Sequence, residues 1–320
     1  MHQYLFFIGD FPIRMYGLML CTAIFLATGT AYFLAKQDGR WHEHILDIGI
    51  YGGFAGLIGG RLWDVFFFDW DYYSHHLLEI PFVWQGGMAV QGGMLAGIAA
   101  GIVYCKMNDI DWVALADIIS PSLLIGQSIG RMANLLNGDA FGTPTGGSFG
   151  ILYPEGTLAY KTYGPVPLWP AEVWEGQLDI VIFALLLLFR TTKHARGQAL
   201  CMYAMLYSVV RFFLEMLRGD YAEPWMFGLK SAQATSLGFF LVALGFFIYC
   251  GWLEKHQPAA KEKAVGKKPE LVQGRTAKPS PGIRGFTSLE EMAAAMDDPR
   301  YEVDMEYTKK VERRMLASDF

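Results

Sequence analysis

Residues 16–35, YGLMLCTAIFLATGTAYFLA, decide the fold class, because no side chain in this stretch is charged. A helix of this length rises about 30 Å, the thickness of the hydrocarbon core of a bilayer. Helices also satisfy their own backbone hydrogen bonds in lipid. Further apolar windows lie near 45–63, 88–105, 113–136, 177–190, 198–217 and 233–253. The sequence therefore predicts an all-α polytopic membrane helix bundle with about seven transmembrane helices.

The composition agrees with a membrane protein and excludes several other classes. Hydrophobic residues make up 53% of the chain and charged residues only 18%. The net charge of −5 and the lack of a basic stripe argue against a nucleic-acid partner. No HExxH motif or His/Cys cluster is present, so no zinc site is predicted and no cofactor is expected.

Lysine and arginine fall mainly on alternate loops and on the C-terminal tail, which predicts the orientation in the membrane. The positive-inside rule places those loops in the cytoplasm. The amino terminus and the long connection, residues 138–175, are then outside. We predict a transmembrane domain at 1–254 and a charged, partly helical cytoplasmic tail at 255–320. The amphipathic stretch 288–316 in this tail is either a solvated extension or a partner-binding helix.

The first segment with candidate chemistry is GQSIGRMANLLNGDAFG, residues 126–142, at the outer end of the fourth span. Helical spacing places Arg131 and Asn134 on one face, and Asn137 and Asp139 follow closely. Gly142 permits close approach of the backbone to a ligand. Charged and amide side chains at the end of a span are costly, so they indicate a functional site or an ion pair.

The second segment is the sixth span, where Tyr207, Arg211, Glu215 and Arg218 follow at spacings of four, four and three residues. They form one polar stripe on the helix. Arg211 and Glu215 alone are also consistent with a structural ion pair. A phosphate site needs more, namely planar guanidinium donors together with carboxylates that orient them. The two segments together supply both.

Four pairs of glycines lie in or next to the second and third predicted spans, at 52–53, 59–60, 86–87 and 92–93. None of these pairs forms a phosphate loop. The simpler interpretation is close packing of helices through small residues.

These segments resemble motifs of the prolipoprotein diacylglyceryl transferases, and they occur in the same order as in that family. These bacterial membrane enzymes attach the first lipid to lipoprotein precursors. The resemblance rests on five motifs, and their order and spacing are more specific than any one of them. They are Tyr16-Gly17-Leu18-Met19, Gly59-Gly60-Arg61, Gly86 through Gly93, Gly130-Arg131 through Gly142, and Tyr207 through Arg218.

This resemblance implies the roles of the candidate residues. We expect catalysis to depend on Arg131, Arg211, Asp139, Glu215, Gln91 and Tyr16. We expect lipid substrate binding to depend on Asn134, Asn137, Gly142, Tyr207, Arg61 and Arg218.

The chain departs from the family pattern at three places. Asp139 replaces a glutamate and keeps the carboxylate on a shorter side chain. Gln91 replaces the histidine of a His-Gly-Gly motif that is usually regarded as essential. The family's His-Pro-Ser-x-x-Tyr-Glu run is Trp-Pro-Ala-Glu-Val-Trp-Glu here, residues 169–175.

The implied reaction transfers diacylglycerol from phosphatidylglycerol to the lipobox cysteine in the signal peptide of a prolipoprotein, at the bacterial cytoplasmic membrane. The expected partners are therefore phosphatidylglycerol, lipobox-containing precursors and the bilayer. A divergent relative with another acceptor or lipid, a non-catalytic lipid-binding protein and a transporter remain alternatives. The lack of internal symmetry argues against the transporter.

Overall fold

The structure is a computed structural model that describes residues 4–9, 11–83, 86–220, 228–256, 286, 289–296, 298, 310, 311 and 314. By internal contacts the chain forms two compact units, residues 1–264 and 265–320. The predicted division into residues 1–254 and 255–320 stays a prediction.

Long helices form most of the described part of the first unit and confirm the predicted fold class. They are α1 (Met15–Asp38), α2 (Ile45–Trp63), α3 (Val90–Met107), α4 (Trp112–Asn137), α5 (Ala171–Arg190), α6 (Gln198–Leu214) and α7 (Ser231–His256).

Within the described residues, five helical stretches are long and apolar enough to cross a membrane: α1, α2 with its flanking turns, α3, α4 and α7. Helix α5 carries Glu172, Glu175 and Asp179, and α6 has only 17 residues. Membrane crossing by these two helices, and hence the count of seven, stays a prediction.

Short elements connect the long helices. An antiparallel hairpin, β1 (Tyr4–Ile8) and β2 (Phe11–Arg14), precedes α1 and was not predicted from the sequence. A π-helical segment, Asp64–Phe68, continues α2 and is followed by a short helix, Trp70–Tyr73. Two 3-10 turns, His42–His44 and Leu77–Glu79, and a short helix, Leu158–Tyr163, lie in loops.

Helix α4 is positioned by caps at both ends. Asp111 accepts hydrogen bonds from the backbone N–H groups of Val113 and Ala114 at its start. Gly138, with φ of 75°, ends it in the left-handed conformation that favours glycine. Within α4, the buried Asp117 accepts from the backbone N–H of Leu200 at 2.8 Å and so ties the start of α6 to α4.

The helices pack around α4, which contacts α1, α3, α5 and α6. Helices α2 and α3 pack closely through their glycines. A Cβ atom at Gly56 would lie 3.3 Å from the carbonyl oxygen of Gly93, and one at Gly59 would lie 2.7 Å from that of Gly92. These contacts confirm the predicted packing role for Gly59, Gly92 and Gly93, whereas a Cβ atom added at Gly53 or Gly86 would meet no atom within 4 Å in the described structure.

Large apolar side chains cover the outside of the bundle. Phe25 in α1 is 77% exposed and Ile98 in α3 is 54% exposed. Exposed apolar surface of this extent suits a lipid environment.

The described part of the second unit contains one helix, Leu289–Met296. Arg314 donates to Glu291 at 2.7 Å and stacks over the ring of Phe286 at 4.1 Å. Most of the predicted amphipathic stretch, residues 288–316, lies outside the described residues.

Candidate functional site

The candidate site lies where α4, α5 and α6 meet, and the carboxylate of Glu175 is its centre. Glu175 is in the second turn of α5, and its side chain is 1% exposed. One oxygen, Oε1, accepts from Nη2 of Arg131 on α4 at 2.6 Å. The other, Oε2, accepts from Nη1 of Arg211 on α6 at 3.1 Å. One buried carboxylate therefore bridges two guanidiniums from different helices.

We call Arg131, Glu175 and Arg211 the Arg–Glu–Arg cluster. The hydroxyl of Tyr207 also contacts this cluster. This hydroxyl donates to Glu175 at 3.0 Å and accepts from Nη2 of Arg131 at 3.4 Å. On the other side, Nη2 of Arg211 pairs with Glu215 at 2.8 Å, one turn further along the chain. The cluster is thus fixed by ion pairs and by a phenol.

Close packing of α5 on α4 makes this geometry possible. A Cβ atom on Gly176 would lie 3.3 Å from the Cβ atom of Arg131 and from the carbonyl oxygen of Ser128. Because glycine has no side chain, the helices approach closely enough for Arg131 to reach the neighbouring Glu175.

A second layer of charges holds the segment after α6. Arg218, only 5% exposed, pairs with Asp220 through two nitrogens and lies 3.9 Å from Glu215. Lys230 donates to the backbone carbonyl oxygens of Glu215, at 3.0 Å, and Arg218. These contacts fix the backbone that carries Glu215.

At the outer end of α4, two asparagine side chains hold the carboxylate of Asp139. Asn134 donates to Oδ1 of Asp139 at 2.7 Å, and Asn137 donates to Oδ2 at 2.6 Å. Gly142 follows and pairs with Arg218 in an isolated antiparallel bridge. A Cβ atom at Gly142 would clash with Trp169, so only glycine fits there.

Tyr16, the second residue of α1, is 36% exposed and lies within electrostatic reach of Asp139 and Arg131. The structure thus groups most of the predicted site residues: Tyr16, Arg131, Asn134, Asn137, Asp139, Gly142, Tyr207, Arg211, Glu215 and Arg218.

Arg61 and Gln91 are placed differently from the rest of the predicted set. Arg61 is 3% exposed, and its guanidinium donates to the carbonyl oxygens of Ile80 at 2.8 Å, Gly86 at 2.6 Å, Glu79 at 3.1 Å and Gly87. Arg61 therefore holds the loop before α3, and none of its hydrogen bonds reaches the Arg–Glu–Arg cluster. Gln91, in the first turn of α3, is exposed, and its side chain makes no hydrogen bond within the described part of the chain.

Glu175 is not among the site residues predicted from the sequence, although it ends the Trp169–Glu175 run. Glu172, Glu175 and Asp179 lie at spacings of three and four on one face of α5, and all three are at most 1% exposed. Three buried acids on one face of a mostly apolar helix were the available signal.

Two of these acids have unsatisfied oxygens within the described structure. Asp179 has no hydrogen-bond partner for either oxygen, and Glu172 has none for Oε2. The other oxygen of Glu172 accepts from the hydroxyl of Tyr153, in the outer connection. Burial beside Glu172 raises the pKa of Tyr153, so this phenol stays protonated and donates.

Each of the two planar guanidiniums that face Glu175 can donate to a phosphate oxygen as well as to a carboxylate oxygen. A sequence model of the prolipoprotein diacylglyceryl transferase family matches residues 3–249, which include the whole cluster. The chain belongs to this family.

Relatives with the name phosphatidylglycerol–prolipoprotein diacylglyceryl transferase cover most of the chain. The relative from Staphylococcus saprophyticus is 33% identical over 265 residues, 82% of this chain and 92% of the relative. The one from Thermosynechococcus vestitus is 34% identical over 252 residues, 74% of this chain and 88% of the relative. These matches confirm the resemblance noted in the sequence.

Residues 253–318 also match a family described as phage T7 capsid assembly protein. This match is confined to the end of the chain, and it assigns no function to the prolipoprotein diacylglyceryl transferase region.

Proposed function

We propose that this chain transfers the diacylglyceryl group of phosphatidylglycerol to the lipobox cysteine of a prolipoprotein. The observation that supports this most directly is the Arg–Glu–Arg cluster, in which Glu175 bridges Arg131 and Arg211 at 2.6 and 3.1 Å. The membership of the chain in the transferase family, whose named relatives cover about four fifths of it, supports the same reaction.

The first task of such a site is to bind the lipid phosphate. The side chains of Arg131 and Arg211 are 20% and 17% exposed, so neither is fully buried. A phosphodiester that enters here accepts hydrogen bonds from both. Arginine suits this role because its planar fork matches phosphate oxygens and stays charged in a membrane setting.

The second task is to stabilise the leaving group. The thiol sulfur attacks a carbon of the diacylglyceryl group, and the C–O bond to the phosphate breaks. Negative charge then grows on the departing glycerol phosphate. Fixed guanidiniums that face this charge lower the barrier, and loss of one such donor in other enzymes costs about 100- to 1,000-fold in rate.

The surrounding carboxylates keep the guanidiniums in place. Glu215 pairs with Arg211 at 2.8 Å and is itself held by the turn that Arg218 and Lys230 stabilise. Asp139, held by two asparagines, is the polar group at the outer end of the site. Preorganisation of this kind avoids reorientation of charges during the reaction.

The setting is a bacterial cytoplasmic membrane, with the site near its outer face. This placement follows from the loop charges, which put the amino terminus and the 138–175 connection outside. The lipid substrate then reaches the Arg–Glu–Arg cluster from the bilayer, and the lipobox cysteine reaches it from a signal peptide at the outer surface.

Complementation of a conditional transferase knockout tests the proposal in cells. Growth restored by the wild-type chain and not by the Arg211→Ala variant is expected. In parallel, purified protein is assayed with phosphatidylglycerol and a lipobox peptide. A folded protein that binds phosphatidylglycerol but transfers nothing in either assay would favour a non-catalytic lipid-binding relative.

A further inference from the structure

The two guanidiniums that the phosphate needs are the same two that Glu175 neutralises in this structure. Oε1 of Glu175 contacts Arg131 and Oε2 contacts Arg211, so both oxygens are engaged. A phosphodiester that binds both arginines competes with this carboxylate for the same two guanidiniums. Binding therefore draws these guanidiniums away from Glu175 and adds a second anion beside it.

Every charged or titratable group close to Glu175 bears on this exchange. Arg131 faces it from α4, while Tyr207 and Arg211 face it from α6. On α5 itself, Glu172 precedes it and Asp179 follows it by one turn. With the side chain 1% exposed, water cannot replace the lost donors easily. A proton is the simplest compensation for a buried carboxylate in this position.

We infer that Glu175 accepts the proton of the acceptor thiol, and that binding of the lipid phosphate to Arg131 and Arg211 makes it available to do so. This inference rests on the proposed transferase function and names its proton acceptor. Gln91 cannot serve, because an amide does not take up a proton near neutral pH.

In this step the thiol proton moves to an oxygen of Glu175, and the sulfur electron pair forms the new S–C bond to the diacylglyceryl carbon. The C–O bond to the phosphate breaks, and its electron pair leaves with the glycerol phosphate. The proton on Glu175 is released to solvent after the product leaves and the two guanidiniums re-form their pairs with the carboxylate.

Asp179 is the competing candidate for the proton. It is fully buried, and neither of its oxygens has a hydrogen-bond partner in the described part of the structure. Asp179 makes no hydrogen bond to Arg131 or Arg211 within the described structure, so binding of a phosphate to these arginines takes no donor from it. Glu175, in contrast, is paired as an anion and changes state when its partners are taken.

The test compares transfer to two lipobox peptides that differ only in the acceptor, cysteine or selenocysteine. A selenol is already ionised at neutral pH and needs no base. Glu175→Gln should lose about 100- to 10,000-fold with the cysteine peptide. With the selenocysteine peptide its loss should be at least about tenfold smaller, because the proton transfer is bypassed.

Glu215→Gln is the matched control, because Glu215 pairs with Arg211 but does not bridge the two arginines. Its loss should be the same with both peptides. An equal loss of Glu175→Gln with both peptides would overturn the inference and leave Glu175 as a group that only positions the arginines. No transfer by folded wild type to either peptide would overturn the proposed function as well.

A binding measurement on the wild type covers the case in which Glu175→Gln does not fold. Short-chain phosphatidylglycerol carries a phosphodiester that does not titrate near neutral pH. If lipid binding raises the proton affinity of Glu175, Kd should fall with pH on the acid side, by up to about tenfold per pH unit, and level off at the pH of the transfer assay, where the carboxylate is still an anion that can accept the thiol proton. Asp179→Asn should keep this dependence. A flat Kd in the wild type, or a dependence lost in Asp179→Asn, would overturn the assignment.

Discussion

Arg131 on α4 donates to the buried carboxylate of Glu175 on α5 at 2.6 Å, the shortest link in the Arg–Glu–Arg cluster. The pair joins two helices that are 44 residues apart at these positions. Because the same carboxylate also pairs with Arg211, both guanidiniums are held at fixed positions relative to each other.

Replacement of either cluster arginine by lysine should lower transfer strongly. Lysine keeps the charge, but it is a point donor that cannot offer a planar fork to two oxygens of a phosphate. We expect losses of about 100- to 1,000-fold for Arg131→Lys and Arg211→Lys in the peptide assay. Arg196→Lys is the control, because Arg196 is half-exposed and pairs with Asp111 at 2.6 Å. Near-normal activity of both cluster variants would assign the arginines a structural role.

Gly59→Ala should destabilise the contact of α2 with α3. The new Cβ atom would clash with Ala96 and approach the carbonyl oxygen of Gly92, so the helices must separate. Overpacking of this kind costs about 1–3 kcal/mol. Gly53→Ala on the same helix is the control, since no atom lies within 4 Å of its added Cβ. Thermal unfolding in detergent measures both, and equal midpoints for the two variants would contradict the close packing.

Tyr153→Phe should destabilise the outer connection, because it removes the donor to the buried Glu172. A buried acceptor left without a partner costs about 1–3 kcal/mol. Tyr160→Phe, which removes an exposed contact with Glu155, should change the free energy of unfolding much less. The raised pKa of Tyr153 also determines how its contribution to stability changes with pH. Its contribution is present below about pH 10, where an unfolded tyrosine ionises, and is lost above it.

The Tyr153 contribution is measured as the difference in stability between wild type and Tyr153→Phe across this range. A difference that grows toward alkaline pH would contradict the assigned direction.

Gln91 variants should change substrate binding more than the pH profile of transfer. Gln91 is exposed at the start of α3, and an amide hydrogen-bonds but does not titrate. Gln91→Ala should therefore raise KM, and its pH profile should follow that of the wild type. Gln91→His should preserve or raise activity at lower pH if an imidazole fits. A wild-type inflection near about pH 6.5 that disappears in His75→Ala or His76→Ala would contradict this prediction.

The predicted orientation is tested by reporter fusions. A fusion at Tyr163 should report the outer side and one after Pro258 the cytoplasmic side, because lysines and arginines accumulate on cytoplasmic loops. Three predicted spans lie between the two fusion points. If both fusions report the same side, the number of crossings between them is even, and α5 or α6 does not span the bilayer as predicted.

The sequence by itself determined the membrane class, the approximate positions of the long apolar helices and the two segments that carry the arginines. These features are local. An uncharged run of this length has few alternatives to a membrane helix, and the four-residue spacing of Arg211 and Glu215 places them on one helix face. The paired glycines of α2 and α3 were likewise readable as packing positions from their type and spacing alone.

Only the tertiary structure decided which charges meet. Glu175 is the centre of the cluster because α5 packs between α4 and α6 at Gly176, and no spacing within one segment encodes that contact. The same holds for Arg61, whose motif suggested the lipid site but whose donors are taken by the carbonyl groups of the loop before α3. Partners of a buried charge lie on other helices, so their identity depends on how the helices pack.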